Sequence, residues 1–197
     1  MLTSQTLRAA FDAGLTYDRY LAAAPPHEQE HWRSFGARVT LTPAQLALIS
    51  TFSRRLNVLV VSGSWCGDCV QQVPIIAAIA SAHAAPAGPL APGIALRLLE
   101  RDAHREFSAQ VSICGGLRVP VALFLNEDLE FVALAGDRLL SRYRALAARQ
   151  LGAFCPLPGA PVPADEIAAT TGDWLDEFER VALLLRLSPK LRHRHAD

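Results

Sequence analysis

An unbroken apolar stretch at residues 58–61, Val-Leu-Val-Val, is the feature that most constrains the fold of this chain. A strand with one buried face alternates apolar and polar side chains, whereas this stretch is apolar at every position. The segment Ser-Gly-Ser at residues 62–64 ends it, and alanine and isoleucine then recur at helical spacing from Cys66 to about Ala84. The pattern predicts a strand buried on both faces that leads directly into a helix.

Later segments continue this alternation and then change it. Residues 94–100 predict a second strand and residues 103–110 a short helix, an order that favours parallel strands with helical crossovers. Residues 121–125 and 130–134 flank an Asn-Glu-Asp turn and predict a β-hairpin, and a helix follows at residues 137–150. We therefore predict an α/β fold in which the central sheet is mixed.

Two flanks surround this α/β unit and divide the chain into three predicted parts. Residues 1–56 have apolar side chains at helical spacing and a Thr-Pro helix start at residues 42–43, so they predict an N-terminal helical extension packed on the core. Residues 57–150 form the predicted core. Residues 151–197 predict a Pro-rich linker and a C-terminal helix with an apolar stripe at residues 165–187.

The charge balance excludes some classes of partner. The chain has 19 Lys and Arg residues and 19 Asp and Glu residues, so no long-range field recruits nucleic acid or an anionic membrane. No stretch approaches the roughly 18 to 20 consecutive apolar residues that a membrane helix needs. Charged residues interrupt the N-terminal segment, which does not have the pattern of a secretion signal, and we expect a cytoplasmic protein.

Cys66 and Cys69 are the one close pair among four cysteines, which are too few for a disulfide scaffold. Thiol–disulfide exchange needs a stabilised thiolate, and Cys66 lies where unpaired N–H groups and the dipole of the predicted helix favour an anion. Positions i and i+3 of a helix lie about 5 to 6 Å apart, within the range that a disulfide tolerates. We predict that Cys66 attacks a substrate disulfide and that Cys69, which is more buried, resolves the mixed disulfide.

The segment Ser-Trp-Cys-Gly-Asp-Cys at residues 64–69, Pro74 within the helix and the later pair Val119 and Pro120 resemble the thioredoxin-like superfamily over roughly residues 57–150. The likeness is greatest to bacterial thioredoxin-like proteins that carry Trp-Cys-Gly-Asp-Cys after a helical N-terminal extension. The resemblance implies a three-layer α/β/α sandwich. It also implies that Pro120 is cis and lies against the two cysteines, that the Val119 backbone binds an extended substrate peptide, and that Trp65 shapes the same surface.

The chain departs from the thioredoxin pattern at two places. Thioredoxin has Gly-Pro between its cysteines and a buried carboxylate six residues before the first, whereas this chain has Gly67, Asp68 and, at that earlier position, Val60. We expect Gly67 and Asp68 to tune the site. A carboxylate next to the Cys66 thiolate opposes the helix dipole and should make the dithiol a better reductant.

The predicted function is that of a thiol–disulfide oxidoreductase, in particular a cytosolic protein-disulfide reductase that uses no cofactor. Its partners would be a protein or small-molecule disulfide and an unidentified electron donor, with neither nucleic acid nor a membrane among them. The alternative is a redox-sensing or adaptor module that keeps the thioredoxin fold without turnover. The flanking helices are candidates for a homodimer interface.

Other chemistry-bearing residues allow further interpretations. The Cys pair could form a zinc site if Cys114 and either His83 or His104 supplied the remaining ligands, although a second close pair is missing. Cys114 otherwise predicts a small buried side chain or a regulatory thiol near the site. We assign no role to Cys155. The Arg-His-Arg-His segment at residues 192–195 is expected to be disordered and to have no function.

Overall fold

A computed structural model describes residues 2–86, 91–151 and 165–196. The predicted linker and Cys155 lie outside these ranges. Within them, the helices are α1 (Ser4–Ala13), α2 (Tyr17–Ala23), α3 (Pro26–Gly36), α4 (Pro43–Ile49), α5 (Gly67–Ala82), α6 (Arg105–Ala109), α7 (Leu140–Leu151), α8 (Glu166–Leu187) and α9 (Pro189–His195). The strands are β1 (Arg55–Ser62), β2 (Gly93–Glu100), β3 (Val121–Leu125) and β4 (Phe131–Gly136).

The sheet in these ranges has the strand order β2-β1-β3-β4. Strand β1 runs parallel to β2 and antiparallel to β3, and β3 pairs with β4 in an antiparallel hairpin. Both faces of β1 are covered, because its successive side chains from Leu56 to Ser62 are all buried. The structure thus confirms the predicted α/β class, with a mixed sheet and with N-terminal and C-terminal helices that flank it.

Within the described ranges, the outer side of the edge strand β2 carries two short additional pairings, one of which involves the N-terminal extension. Ala84, after α5, forms an isolated parallel bridge with Ile94, and Leu15, between α1 and α2, forms an isolated antiparallel bridge with Leu98. Leu15 and Leu98 each donate the backbone N–H to the carbonyl oxygen of the other at 2.8 Å. The N-terminal extension is therefore hydrogen-bonded to the sheet itself.

Trp32 of α3 joins the extension to the core and is completely buried. The rings of Tyr17 and Tyr20 in α2 pack against it, with centroid separations of 6.1 and 5.8 Å. Its indole Nε1–H donates a hydrogen bond of 2.8 Å to the carbonyl oxygen of Ser64, immediately before the Trp-Cys-Gly-Asp-Cys motif. The extension consequently contacts the chain at the site itself.

Two helix starts follow the expected capping chemistry. Thr42 caps α4 and exchanges hydrogen bonds with Gln45 in a capping box, as the Thr-Pro pair predicts. Asp165 caps α8 by accepting from two backbone N–H groups of the first turn. Helix α8 packs its apolar stripe on the sheet, where Phe178 meets Phe124 edge to face with a centroid separation of 5.2 Å. No helix in the described ranges is long and apolar enough to cross a membrane.

The prediction of a disordered C-terminal segment is wrong. Residues 189–195 form helix α9, which Ser188 caps through its hydroxyl. The Arg194 guanidinium forms an ion pair with Asp128, and Nε2 of His195 lies 3.2 Å from the same carboxylate. Attraction to the acidic β3–β4 turn therefore holds a segment that looks unconstrained in the sequence.

Candidate active site

Cys66 lies at the end of the turn that connects β1 to α5 and is the N-cap residue of that helix. Its backbone N–H donates a hydrogen bond of 3.0 Å to the Gly63 carbonyl oxygen, which closes the turn. Cys66 is partly exposed, and Cys69, within the first turn of α5, is completely buried. The sequence prediction placed the two thiols at these depths because the helix begins directly after a buried strand.

The two thiols have opposite acidities. The side chain of Cys69 donates a hydrogen bond to Cys66, and together with the backbone N–H groups of Cys69 and Asp68 it outweighs partial burial and lowers the pKa of Cys66 to about 6. Burial raises the pKa of the Cys69 thiol well above its ordinary value. At neutral pH, Cys66 is thus mostly a thiolate and Cys69 a thiol.

Val119 and Pro120, which directly precede β3, lie beside the two cysteines. The peptide bond between them is cis, as the resemblance implied. The Cys66 sulfur lies 3.6 Å from the carbonyl oxygen of Val119, within reach of a hydrogen bond that the thiol form can donate. The structure therefore brings Cys66, Cys69, Val119 and Pro120 together at one place.

Trp65 forms the exposed rim of the site and has half of its surface accessible to solvent. The guanidinium of Arg101 lies over the ring at 4.4 Å from the centroid, a cation–π contact. Arg101 is itself held by Asp102, through two hydrogen bonds of 3.0 Å, and by the Leu117 carbonyl oxygen at 3.2 Å. Sequence reasoning identified Trp65 but missed Arg101, which no local pattern connects with it.

Asp68 differs from its expected setting, because its carboxylate is not an isolated charge. It forms an ion pair with Arg138, and Arg142 lies 3.3 Å from its Oδ1 atom. The carboxylate does raise the pKa of Cys66, the direction that the sequence argument predicts, but it acts more weakly than the hydrogen bonds that lower this pKa. The positive charges of Arg138 and Arg142 oppose its field.

A groove of about 380 Å³ runs beside the motif, between α3 and the start of α5. Its walls come from His27, Glu28 and His31 of the extension and from Trp65 and Gly67 of the motif, among others. A Cβ atom at Gly67 would meet nothing within 4 Å, so close packing does not account for a glycine there. The groove offers space next to Cys66 for a bound chain.

The alternative zinc site is not assembled. In the part of the chain that the structure describes, no group of three or more His, Cys, Asp and Glu side chains is arranged to hold a metal ion. His83 instead places Nε2 at 3.0 Å from the carbonyl oxygen of Phe52. Cys114 is exposed and has a φ of 51°, so the expectation of a small buried side chain is wrong for it.

A helix that begins with a dithiol, directly after the central strand of a mixed sheet and opposite a cis proline, defines the class of thioredoxin-fold proteins. The chain belongs to the thioredoxin family, whose sequence profile matches residues 14–138. None of the curated proteins matches the chain.

Two solved structures are similar to this one. The first is a protein of unknown function from Pseudomonas aeruginosa, with 19% sequence identity, a TM-score of 0.66 and coverage of 91% of this chain and 99% of that one. The second is an HIV epitope scaffold, with 18% identity, a TM-score of 0.57 and coverage of 89% and 92%, respectively. Identities this low show a shared fold alone.

Proposed function

We propose that this protein is a thiol–disulfide oxidoreductase and acts as a protein-disulfide reductase. The observation that carries the proposal is the pair of opposed thiols: Cys66 is partly exposed with a pKa of about 6, and Cys69 is buried beside it as a proton-bearing thiol. Exchange needs an accessible thiolate to attack and a second thiol within bonding reach to complete the reaction.

The steps follow from this arrangement. The Cys66 thiolate attacks one sulfur of the substrate disulfide, a Cys66–substrate disulfide forms, and the other substrate sulfur leaves as a thiolate that takes a proton from water. Cys69 then loses its proton and attacks the Cys66 sulfur. The Cys66–Cys69 bond forms, the second substrate thiolate leaves, and two electrons have passed from the protein to the substrate.

An extended peptide is the substrate shape that the surroundings of Cys66 favour. The Val119 carbonyl oxygen lies next to the attacking sulfur, and the groove walled by α3 runs on the side of Trp65. We assign Trp65, Val119 and Pro120 to substrate binding, and Asp68 with Gly67 to tuning of the thiol. Within the thioredoxin family, the Trp-Cys-Gly-Asp-Cys motif and the helical extension favour the bacterial proteins that combine these two features.

The experiment that tests this function compares wild type with Cys66→Ser and Cys114→Ser in the reduction of a disulfide-bonded protein. Wild type and Cys114→Ser should reduce the substrate with an external electron donor, and Cys66→Ser should not. The reduction potential of the pair, from equilibration in glutathione buffers, should lie near or below the cytosolic range of roughly −220 to −320 mV. Absence of a reversible dithiol–disulfide couple would refute the proposal.

The wider setting of this activity belongs to the same proposal. An electron donor in the cell would reduce the Cys66–Cys69 disulfide, without a bound cofactor and without nucleic acid or membrane as a partner. We place the protein in the cytoplasm, because a reductase needs a reducing compartment and four cysteines are too few for a structural disulfide framework.

One surface feature favours a second candidate function, that of a redox-sensing adaptor or homodimer. Leu183, Leu184 and Leu187 of α8 are exposed, and each has more than two fifths of its surface accessible. Contiguous exposed apolar side chains often mark interaction surfaces. Sedimentation of wild type and Leu187→Glu would detect a dimer through this helix. A cysteine-free variant that keeps partner binding would favour the adaptor.

A further inference from the structure

Cys69 has to lose a proton in the interior of the protein before it can attack. Its side chain is completely buried, and burial raises the pKa of its thiol well above the ordinary value. Water cannot remove the proton directly. Val60 occupies the position at which the thioredoxin pattern has a carboxylate, so a proton acceptor has to come from elsewhere.

Ser62 provides the first polar group along such a path. Its residue is completely buried at the end of β1, and its hydroxyl oxygen makes no hydrogen bond within the part of the chain that the structure describes. The next residue, Gly63, places its backbone nitrogen 3.5 Å from the Cys69 sulfur. Ser62 and Glu100 are register partners in a parallel pair, so their side chains lie on the same face of the sheet. Burial raises the pKa of both Cys69 and Tyr20, and the Ser62 hydroxyl acts in the opposite direction on both, as expected of an unpaired hydroxyl close to the two groups.

Tyr20 of α2 provides the second group and connects it to the surface. Its ring is buried, and its hydroxyl donates a hydrogen bond of 2.8 Å to Oε2 of Glu100. Glu100 is the register partner of Ser62 across the β1–β2 ladder and is partly exposed. A carboxylate at this position can accept a proton from the interior and release it to solvent.

We propose that Ser62, Tyr20 and Glu100 form a proton relay that serves the resolving thiol. The proposal rests on the exchange function above. Cys69 passes its proton to the Ser62 oxygen, the Ser62 proton moves to the Tyr20 oxygen, and the Tyr20 proton moves to the Glu100 carboxylate, which holds it until the Cys66–Cys69 bond has formed and then releases it to water. Cys69 becomes a thiolate, Glu100 becomes neutral for a moment, and no electrons move until the thiolate attacks Cys66.

The relay gives the N-terminal extension a part in the chemistry, since Tyr20 belongs to α2. Two charged groups adjoin the path in the described residues. The Cys66 thiolate faces Cys69 in the resting protein but is consumed in the mixed disulfide. The guanidinium of Arg101 has a raised pKa, mainly because of its hydrogen bonds to Asp102 and to a smaller extent because of Glu100. The attack of Cys69 on the mixed disulfide is therefore the step whose rate reports on the relay.

Dithiobis-nitrobenzoate separates the two steps, because each one releases a coloured thiolate. In stopped-flow mixing with the reduced Cys114→Ser, Cys155→Ser parent, attack by Cys66 gives a first phase whose rate depends on reagent concentration. Attack by Cys69 gives a second phase that is independent of it. If the parent shows no second phase, the exchange function itself is refuted. The relay is tested separately, by the rate of the second phase in the variants.

Tyr20→Phe removes the relay hydroxyl and retains the ring, and Tyr17→Phe is its matched control, in the same helix and against the same Trp32 ring. We expect Tyr20→Phe and Glu100→Gln to slow the second phase about 100-fold, at the lower end of what a positioned base contributes, with the first phase unchanged. Tyr17→Phe should leave both phases as in the parent.

The pH profile provides a readout that altered packing alone would not move. Between about pH 6 and 8, the second phase of the parent should be nearly constant, whereas that of Glu100→Gln should rise about tenfold per pH unit because hydroxide must take the proton. A second phase unchanged in both variants, or slowed equally in Tyr17→Phe, overturns the relay. If Tyr20→Phe also alters the first phase, its effect is no longer specific to resolution, and the relay is then judged from the second phase of Glu100→Gln.

Discussion

Replacement of Cys69 by alanine should raise the pKa of the Cys66 thiol from its present value of about 6. The hydrogen bond that the Cys69 side chain donates is the largest of the influences that lower this pKa. Alanine removes that donor and leaves the N-cap position and the backbone N–H groups in place. The resulting pKa should therefore lie between about 6 and the ordinary thiol value of about 8.5.

The size of the change follows from the energy of one hydrogen bond to a charged group. Such a bond contributes about 1.5–3 kcal/mol, and one pKa unit corresponds to about 1.4 kcal/mol. Since Cys66 is partly exposed, solvent screens the interaction and the lower end applies. We expect a rise of about one unit, which would place the pKa near 7 and leave about half of the thiol ionised at neutral pH.

The assay is the pH dependence of alkylation of Cys66 by iodoacetamide in a background that lacks Cys114 and Cys155. Cys69→Ser is the matched control, because a serine hydroxyl keeps a donor in place of the thiol and should hold the pKa closer to that of wild type. A pKa in Cys69→Ala that equals or falls below the wild-type value would show that the neighbouring thiol does not stabilise the thiolate.

Three further predictions concern the surroundings of the site. Asp68→Asn should lower the pKa of the nucleophilic thiol slightly, and an increased pKa would contradict this. The same change removes one ion pair of Arg138, which keeps Asp137 at 3.3 Å, so the free energy of unfolding in urea should fall by about 1–3 kcal/mol. Gly63→Ala should displace the Trp65 ring, since a Cβ there would lie 2.7 Å from Cε2, and increase acrylamide quenching of tryptophan fluorescence at little cost in stability; unchanged quenching would contradict it. Glu127 forms an ion pair with Arg54, and both side chains are only 4% exposed. Glu127→Gln should therefore lower the free energy of unfolding by about 3 kcal/mol, and a urea midpoint like that of wild type would contradict this.

Local sequence patterns were sufficient for most of the secondary structure, because periodicity and turn residues act over a few positions. The boundaries that differ depend on pairing between distant segments. Strand β1 begins at Arg55, three residues before the apolar stretch that predicts it, because it pairs there with Gly93 of β2. Helix α9 was not predicted for the same reason, because Arg194 in this helix pairs with Asp128, which is 66 positions away in the sequence.

The candidate site shows the same division. The spacing of Cys66 and Cys69 is a local signal and identified the dithiol. Asp68 and its guanidinium partner Arg138 are 70 positions apart, and Tyr20 and Glu100 are 80 positions apart. The one sequence signal for such additions was the apolar residue at the position where thioredoxin has a carboxylate, which showed that something was missing but not what replaced it.

The bridge between Leu15 and Leu98 has a consequence for how the protein behaves at high concentration. Strand β2 is the last strand on its side of the sheet, and an open edge presents unpaired N–H and C=O groups that can template the addition of a strand from another molecule. Leu15 already occupies the two groups of Leu98, and the segment around Ala84 occupies the two groups of Ile94. A chain that lacks residues 1–16 would expose the groups of Leu98, and we expect it to aggregate by edge-to-edge strand pairing even while its redox motif remains intact.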